Sequence, residues 1–205
     1  MKLYDSRRAP NPRRVRWLMA EKGIEDIEIV DVDLFGGAHR KAEYLARAGL
    51  PNVPALTMDD GTTITESVAI CRYLETFYPT PNLFGEGPKE AAIIEMWLRR
   101  CEMMAASPLM MAVRHGHPAL AALETQVPEE FARYIGAGER SLKIFDRQLG
   151  ESAWIAADRV TMADGVLFIG IDFARMVRFQ VPGDLVNLTR WLGAMRERAS
   201  ATAGT

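Results

Sequence analysis

The chain has 205 residues, of which 48% are hydrophobic and 25% are charged, a mixture typical of a folded globular protein. With a formal net charge of −2 and a pI near 6.0, it carries no long-range charge that favours a nucleic acid or an anionic membrane as partner. No apolar run approaches the ~20 residues that cross a bilayer, and the first residues show no signal-peptide core, so we expect a cytoplasmic protein.

The first eighty residues alternate between strand and helix patterns. Strands are predicted near residues 2–5, 26–32, 55–58 and 63–64, and helices near residues 11–22, 40–47 and 66–78. Gly23 is a stop signal for the first helix, and Asp60-Gly61 is a strong hairpin signal between the last two strands. The order βαβαββα combines one crossover unit with an antiparallel hairpin, which predicts a mixed sheet with helices on its faces.

A segment dense in proline and glycine follows, and beyond it the pattern is helical only. We therefore predict a first domain over residues 1–78, a linker over 79–88 and an all-helical domain over 89–205. The first of its four long helices is predicted to share one apolar face among Ile93, Met96, Trp97 and Met104. The small-residue tail from Ala199 is expected to fray.

The dipeptide Val53-Pro54 stands just before the third strand. Proline cannot donate to a sheet ladder, so the pair marks the beginning of the strand. A cis bond would direct the backbone N–H and C=O of Val53 outward, where an extended peptide can pair with them. A trans bond would make the same dipeptide an ordinary turn, and the sequence leaves both alternatives open.

The tripeptide Thr65-Glu66-Ser67 opens the last helix of the first domain. A helix N-terminus presents free N–H groups and partial positive charge, which favour a carboxylate, and the Ser67 hydroxyl can add to them. Glu66 can hold an ammonium group, so that the pair would recognise the zwitterionic end of an amino acid. The alternative is structural: Thr65 is the N-cap, and Glu66 only complements the helix dipole.

Two cysteines, Cys71 and Cys101, lie far apart in helical patterns, and neither belongs to a CxxC pair. They are predicted to be small buried apolar residues, so we expect no metal site and no dithiol motif.

The stretches "HRKAEYL", "GLPNVPAL" and "TTITESVAICRYLETFYP", followed by a helical domain with "WIAADRVTMADGVLF", resemble the cytosolic glutathione S-transferases of bacterial type. In the last stretch, Thr161 and Asp164 have the spacing of an N-terminal capping box, which we interpret as a structural device. The resemblance implies a thioredoxin-like α/β domain followed by an all-α domain. It also implies a symmetric homodimer with glutathione as co-substrate and no metal.

The resemblance further implies a set of glutathione-binding residues. Val53 would pair its backbone with the cysteinyl part of glutathione, next to Pro54. Glu66 and Ser67 would hold the γ-glutamyl end. The region of the glycine carboxylate would contain His39, Arg40 and Asn52, although His39 can also be an exposed loop residue after the Gly36-Gly37 turn.

The catalytic position departs from the family pattern. The family places a Tyr, Ser or Cys near the start of the first helix, and this chain has Ala9 there. Asn11 is our first candidate, because its amide N–H can donate to a thiolate and because "APNPRRVR" resembles bacterial homologues with Asn or Thr in this loop. Ser6 and Tyr4 are further candidates, and the absence of any first-domain side chain is a fourth alternative.

A second substrate would, by the same resemblance, meet residues of both domains: Arg7, Met103, Met104, Met111, Arg114 and His115. Methionine suits irregular apolar ligands, but a methionine stripe at helical spacing is also typical of a core. Arg114 and His115 can hold an anionic group or simply be solvated at a helix end.

We therefore expect an enzyme whose bound glutathione thiolate acts on a small electrophile, a peroxide or a disulfide. One alternative is a glutathione-dependent isomerase, whose usual Ser-Ser-Cys-type motif "APNP" does not match. Another is a non-catalytic binding or scaffold protein, which Ala9 supports and the Glu66-Ser67 pair opposes.

Overall fold

A computed structural model describes residues 1–203. The chain separates into two compact units, one formed by Met1–Pro81 with the tail from Ala199, the other by Asn82–Arg198. The first is an α/β unit and the second is all-helical, so the predicted fold class is confirmed. The tail lies in the first unit, whereas the sequence assigned it to the helical domain.

The first unit follows the predicted order βαβαββα. Its elements are β1 Lys2–Asp5, α1 Pro10–Lys22, β2 Glu28–Asp31, a 3₁₀ turn Ala38–Arg40, α2 Ala42–Ala48, β3 Ala55–Thr57, β4 Thr63–Thr65 and α3 Ser67–Phe77. Gly23 ends α1 in the left-handed conformation that glycine adopts without steric cost, with φ of 63°.

The four strands form one mixed sheet in the order β2-β1-β3-β4, which confirms the prediction. Strand β1 is parallel to β2 and antiparallel to β3, and β3 is antiparallel to β4. Tyr4, Ala55 and Thr65 therefore lie in one row across three strands, and Asp5 lies beside Asp31. Consequently β1, β2 and β4 all end at the same end of the sheet, where β3 begins.

The second unit contains the longer helices. They are α4 Gly87–Arg100, a π-helical turn Cys101–Ala106, α5 Ser107–Gly116, a 3₁₀ turn Pro118–Leu120, α6 Pro128–Glu151, α7 Met162–Ala174, a 3₁₀ turn Arg175–Val177 and α8 Val186–Arg196. Throughout residues 1–203, no helix combines the length and the apolar composition that crossing a membrane requires.

The buried face of α4 is not the one predicted. Trp97 is buried as expected, but Ile93, Met96 and Met104 are exposed. The buried stripe instead consists of Trp97 with Ile94, Leu98, Cys101 and Ala105. The helix is apolar on two neighbouring faces, and the π-helical turn shifts the side-chain register, so periodicity alone selected the wrong stripe.

The capping box at the start of α7 is present as predicted. The fully buried Asp164 accepts hydrogen bonds from the Thr161 backbone N–H and hydroxyl, both at 2.9 Å. It also accepts from the Ile155 N–H at 3.0 Å and from the Trp191 indole N–H at 2.9 Å. This carboxylate therefore joins the start of α7 to α8 and to the preceding loop.

The described part of the tail is ordered against α1, which corrects the expectation that it frays. Ala199–Thr202 forms a 3₁₀ turn in which Ser200 and Ala201 are buried. Arg13 of α1 donates to the Ala201 carbonyl at 2.8 Å, and the Ser200 hydroxyl donates to Glu21. The buried guanidinium of Arg13 thus binds a carbonyl of the tail, a contact that the composition of the tail does not reveal. Residues 204–205 lie outside the described range.

Candidate functional site

The sheet register brings most of the predicted site residues to one end of the first unit. Ser6 follows the row of Tyr4, Ala55 and Thr65 by two residues. Val53 precedes that row by two residues and Ser67 follows it by two. The loop that carries His39 leaves β2 at the same end. Helices α1 and α3 also begin here, so their N-terminal N–H groups face a common region.

The start of α3 is uncapped and has an unusual backbone. Glu66 occupies the N-cap position with φ of 69° and ψ of 115°, and its side chain makes no capping hydrogen bond. A non-glycine residue at positive φ costs about 1–3 kcal/mol and tends to occur at ligand sites. Thr65 belongs to β4, so the structural alternative in which Thr65 caps this helix is wrong.

Ser67 is buried beside a positive charge that sequence reasoning missed. Arg14 of α1 donates through Nη1 to the Ser67 hydroxyl at 3.3 Å, and Arg14 is itself buried. The backbone carbonyl of Arg14 also accepts from the Cys71 thiol at 3.8 Å. Arg14 was not among the residues that the sequence predicted for the site. The signal that could have identified it is its place beside apolar Val15 inside a helix, because a buried guanidinium needs partners.

At the start of α1, which follows the turn after β1, Asn11 supplies the hydrogen-bond donors. The Ala9 N–H bonds to the Ser6 carbonyl at 2.9 Å, and Ala9, the N-cap residue, has no side-chain capping bond. The first three helical residues are Pro10, Asn11 and Pro12, and proline has no N–H. Asn11 therefore carries the only backbone N–H among them, in addition to its exposed side-chain amide.

Tyr4 lies on the α2 face of the sheet. Its ring meets the Tyr44 ring edge-on at 6.2 Å, and the Arg47 guanidinium lies 4.7 Å from its centroid. It packs against the small core formed by Val32, Tyr44, Ala48 and Ala55. Burial within this cluster raises the pKa of Tyr44 to about 12. Tyr4 thus has a structural role there, which weakens it as a candidate thiol activator.

His39 is buried, only 7% exposed, so the alternative of an exposed loop residue is wrong. Its Nδ1 has no hydrogen-bond partner within residues 1–203. Burial, and secondly the charge of Arg40, lower the pKa of His39, which keeps the imidazole neutral at pH 7. Arg40 is exposed and supplies the positive charge of this region.

The Val53-Pro54 bond is cis. The backbone N–H and C=O of Val53 make no backbone hydrogen bond to any described residue. The side chain of Asn52 is exposed, and its carbonyl accepts from the Tyr44 hydroxyl at 2.6 Å. The segment before β3 is therefore anchored to α2 through Asn52, and Val53 retains an unused donor and acceptor.

The predicted second-substrate residues are distributed over both units. Arg7 is exposed in the β1–α1 turn. Met103 and Met104 lie on the π-helical turn, where Met103 is 62% exposed, so a core role is wrong for this pair. Met111 is half-buried on α5. π-Helical turns are frequent at functional sites, which agrees with a ligand role for the two exposed methionines.

Arg114 and His115 both hold the segment that connects α5 to α6. The Arg114 guanidinium pairs with Glu124 at 2.9 Å. The His115 ring stacks on Tyr134 with centroids 5.9 Å apart, and its Nδ1 accepts from the Val127 N–H at 3.3 Å. Neither side chain is simply solvated.

The βαβαββα unit, with two helix N-termini and the unused backbone groups of Val53 at one end of its sheet, defines a thioredoxin-like domain. Comparison with known families identifies both parts of the chain. The family model "Glutathione S-transferase, N-terminal domain" matches residues 9–76, and "Glutathione S-transferase, C-terminal domain" matches residues 98–199.

Individual relatives agree with these matches. Glutathione S-transferase 2 of Saccharomyces cerevisiae is 34% identical over 203 residues, covering 98% of this chain and 87% of the yeast protein. The crystal structure of Gtt2 from the same yeast has 33% identity and a TM-score of 0.92, with 100% of both chains covered. Maleylacetoacetate isomerase of Pseudomonas aeruginosa is 34% identical over 173 residues, 80% of this chain and 76% of that protein. The chain belongs to the glutathione S-transferase family, whose co-substrate is glutathione.

Proposed function

We propose that this protein is a glutathione transferase whose bound thiolate acts on a small electrophile, a peroxide or a disulfide. The observation that carries the proposal is the start of α3. There an uncapped helix N-terminus, a strained Glu66 and a buried Ser67 beside Arg14 are held together without any evident benefit to folding. Such an arrangement is explained by a ligand that supplies the missing partners.

The γ-glutamyl end of glutathione fits this helix start. Its carboxylate accepts from the first-turn N–H groups and the Ser67 hydroxyl, with the positive charge of Arg14 nearby. Its ammonium group pairs with the exposed Glu66 carboxylate. Val53, next to Pro54, pairs its free backbone groups with the cysteinyl residue.

At the other end of the peptide, the glycine carboxylate is received by His39, Arg40 and Asn52. Arg40 supplies the charge, and the buried His39 supplies a neutral hydrogen-bonding imidazole. Both follow β2, and Asn52 precedes β3, so these residues leave the sheet at the same end as the α3 site.

Asn11 stabilises the thiolate. Its side-chain amide and its backbone N–H are two donors at the start of α1, whose dipole also favours an anion. The thiol proton leaves to solvent, and the sulfur lone pair then attacks the electrophile. With an aryl halide, a C–S bond forms and halide departs with the bonding electrons. Ser6, half-buried at the other side of the same turn, contributes less.

The direct test is the ultraviolet thiolate absorbance of the glutathione complex against pH, for wild type, Asn11→Ala and Ser6→Ala. We expect Asn11→Ala to raise the pKa of bound glutathione and to lower turnover by about ten- to a hundredfold, since a donor to an anion is worth ~1.5–3 kcal/mol. Affinity should be nearly intact, because the neutral thiol contributes little to ground-state binding. A titration that shifts only in Ser6→Ala would assign the role to serine.

The reaction type is tested with an aryl halide, a peroxide and a disulfide, after binding has been measured by glutathione calorimetry. Turnover of one class of substrate identifies the chemistry, whereas binding without any turnover favours the scaffold alternative that Ala9 supports.

The Pseudomonas relative makes isomerisation a second candidate. Glutathione-dependent cis–trans isomerisation of maleylacetoacetate, without activity toward the other three substrates, would establish it despite the mismatch at "APNP".

In the second unit, a second substrate would meet Met103, Met104 and Met111.

We further infer a cytoplasmic homodimer. The exposed apolar side chains Ile93 and Met96 on α4 suit a self-complementary, two-fold interface, the commonest closed assembly. Sedimentation that shows only a monomer at micromolar concentration would contradict the dimer.

A further inference from the structure

Helix α1 contains three buried arginines, and each of them holds a different segment of the first unit. Arg13 donates to the Ala201 carbonyl of the tail at 2.8 Å. Arg14 donates to Ser67 at the start of α3. Arg16 forms an ion pair with the Asp5 carboxylate and donates through Nη2 to the Arg7 carbonyl at 2.7 Å. Arg14 belongs to the proposed binding site, but the function proposed above does not use Arg16.

Arg16 joins the end of β1 to the middle of the turn that follows it. Asp5 is buried on the last position of β1, and its backbone carbonyl accepts from the Val32 N–H, so it is fixed to the sheet. Arg7 lies in the exposed turn. One guanidinium therefore spans from a rigid element to a peptide group of the turn, with the fork geometry that lets arginine bind two acceptors at once.

This bridge determines how the turn is oriented. The peptide bond between Arg7 and Arg8 is trans, so its C=O and N–H point in opposite directions. Since the carbonyl is drawn inward to Arg16, the Arg8 N–H is turned away from the helix. The turn has one internal backbone bond, from the Ala9 N–H to the Ser6 carbonyl, and no side-chain cap. The Arg16 guanidinium adds a side-chain contact that holds the main chain of the turn.

We propose that Arg16, anchored by Asp5, is a positioning residue for thiol activation: it fixes the Ser6–Ala9 turn and thereby the directions of Ser6 and Asn11. The proposal rests on the function proposed above, in which Ser6 at one end of this turn and Asn11, two residues beyond its other end, act on the glutathione sulfur. The Arg16 side chain is buried, and it contacts the main chain of the turn at the Arg7 carbonyl. It acts through the residues that it orients, for which a displacement of ~1 Å can cost about a hundredfold in rate.

The test compares Arg16→Met with a matched control, Arg13→Met. Both arginines lie in α1, both are 8% exposed, and both donate to a main-chain carbonyl, Arg13 to that of Ala201 in the tail and Arg16 to that of Arg7 in the turn. We expect Arg16→Met to raise the pKa of bound glutathione and to lower kcat about ten- to a hundredfold, with the KM for glutathione changed less than about threefold. Arg13→Met should lower the melting temperature without moving the thiolate titration.

Arg16→Lys provides a second variant in case Arg16→Met folds poorly. Its ammonium can still pair with Asp5, but it has no planar fork with which to hold the Arg7 carbonyl as well. Arg16→Lys should therefore recover most of the stability and keep the raised thiolate pKa. Recovery of the wild-type titration by Arg16→Lys would show that charge alone matters and would overturn the positioning role.

Amide hydrogen exchange separates this proposal from the function on which it rests. In the absence of glutathione, Arg16→Met should accelerate exchange at residues 7–9, and Arg13→Met should accelerate it at residues 200–203. Unchanged exchange in the turn of Arg16→Met would overturn the proposal, whatever the enzyme's activity. If wild-type protein failed to lower the thiol pKa of bound glutathione while the turn responded as expected, the proposed function would fall and Arg16 would hold the turn for another purpose.

Discussion

The starts of helices α3 and α7 contain similar residues, but only the start of α7 is capped by its own side chains. At α7, Thr161 and Asp164 form a complete capping box, and Asp164 accepts four hydrogen bonds in a fully buried setting. At α3, Glu66 occupies the N-cap with positive φ and makes no capping bond, while the buried Ser67 hydroxyl is approached by Arg14.

The difference separates two purposes that a sequence pattern alone confuses. A helix start whose donors are all satisfied from within stabilises the fold and has nothing left for a ligand. A helix start that keeps free N–H groups and a strained residue is less stable than it could be, and that cost is explained by binding. Substitutions at the two starts should therefore affect different measurements.

The largest effect is expected at Asp164. Asp164→Ala leaves four buried donors without an acceptor, and at ~1 kcal/mol or more for each, the free energy of unfolding should fall by about 4 kcal/mol or more. Urea unfolding measures it. Glu130→Ala on α6 is the control, because its pair with Arg133 joins two solvent-accessible side chains and should contribute little to the free energy of unfolding. Equal losses in the two variants would contradict the central role of Asp164.

At α3 the corresponding change should affect binding. Ser67→Ala removes a hydrogen bond to a carboxylate, worth roughly 1.5–3 kcal/mol, so the dissociation constant for glutathione should rise about tenfold or more. The free energy of unfolding should fall by no more than about 1.5 kcal/mol, since the folded chain loses one long hydrogen bond, of 3.3 Å, from the Arg14 guanidinium. Isothermal calorimetry and urea unfolding of the same preparation distinguish the two quantities. An unchanged dissociation constant would show that Ser67 serves the helix alone.

The same comparison shows what the sequence could predict. The capping box is a local pattern of four residues, so Thr161 and Asp164 were recognised from their spacing. The mixed sheet followed from the order of strands and helices. The partners Arg14 and Ser67 are 53 residues apart, and no local pattern connects them. The positive φ of Glu66 depends on tertiary structure in the same way.

Surface and core were predicted less well where a helix offers two apolar faces. Met103 and Met104 have the spacing and polarity of core residues, yet they are exposed. Conversely, the small-residue tail looked disordered, and a buried Arg13 fixes it to α1. In both cases the outcome depends on which neighbour is present in three dimensions.

Thr161→Ala should lower the free energy of unfolding by about 1 kcal/mol, the usual cost of an N-cap substitution. The effect is smaller than for Asp164 because the carboxylate still binds the backbone N–H of residue 161, Ile155 and Trp191. Thr161→Ser, which keeps the hydroxyl, should recover most of the loss. If Thr161→Ala had wild-type stability and bound glutathione more weakly, the start of α7 would serve binding, and its assigned role in folding would be wrong.

The smallest effect is expected from Glu66→Gly, and it has the opposite sign. Glycine adopts positive φ without the ~1–3 kcal/mol cost that a side chain brings, although its greater flexibility in the unfolded chain returns about 0.5–1 kcal/mol of that gain. The free energy of unfolding should therefore rise by roughly 1 kcal/mol, near the middle of the resulting range. Binding of glutathione should weaken, because the carboxylate that pairs with the ammonium group is gone.

Glu66→Ala separates the backbone from the carboxylate. It removes the same charge but retains a side chain at φ of 69°, so it should bind glutathione as weakly as Glu66→Gly without the gain in stability. The difference in unfolding free energy between the two variants, increased by the ~0.5–1 kcal/mol that glycine loses through its flexible unfolded chain, measures the strain. Their common loss of affinity measures the ion pair. An alanine variant more stable than the glycine variant by about 0.5–1 kcal/mol would mean that the α3 start is not strained, and alanine with wild-type affinity would mean that Glu66 does not hold the ammonium group. Both expected results together would show a helix start that gives up stability in order to bind, in contrast to the start of α7.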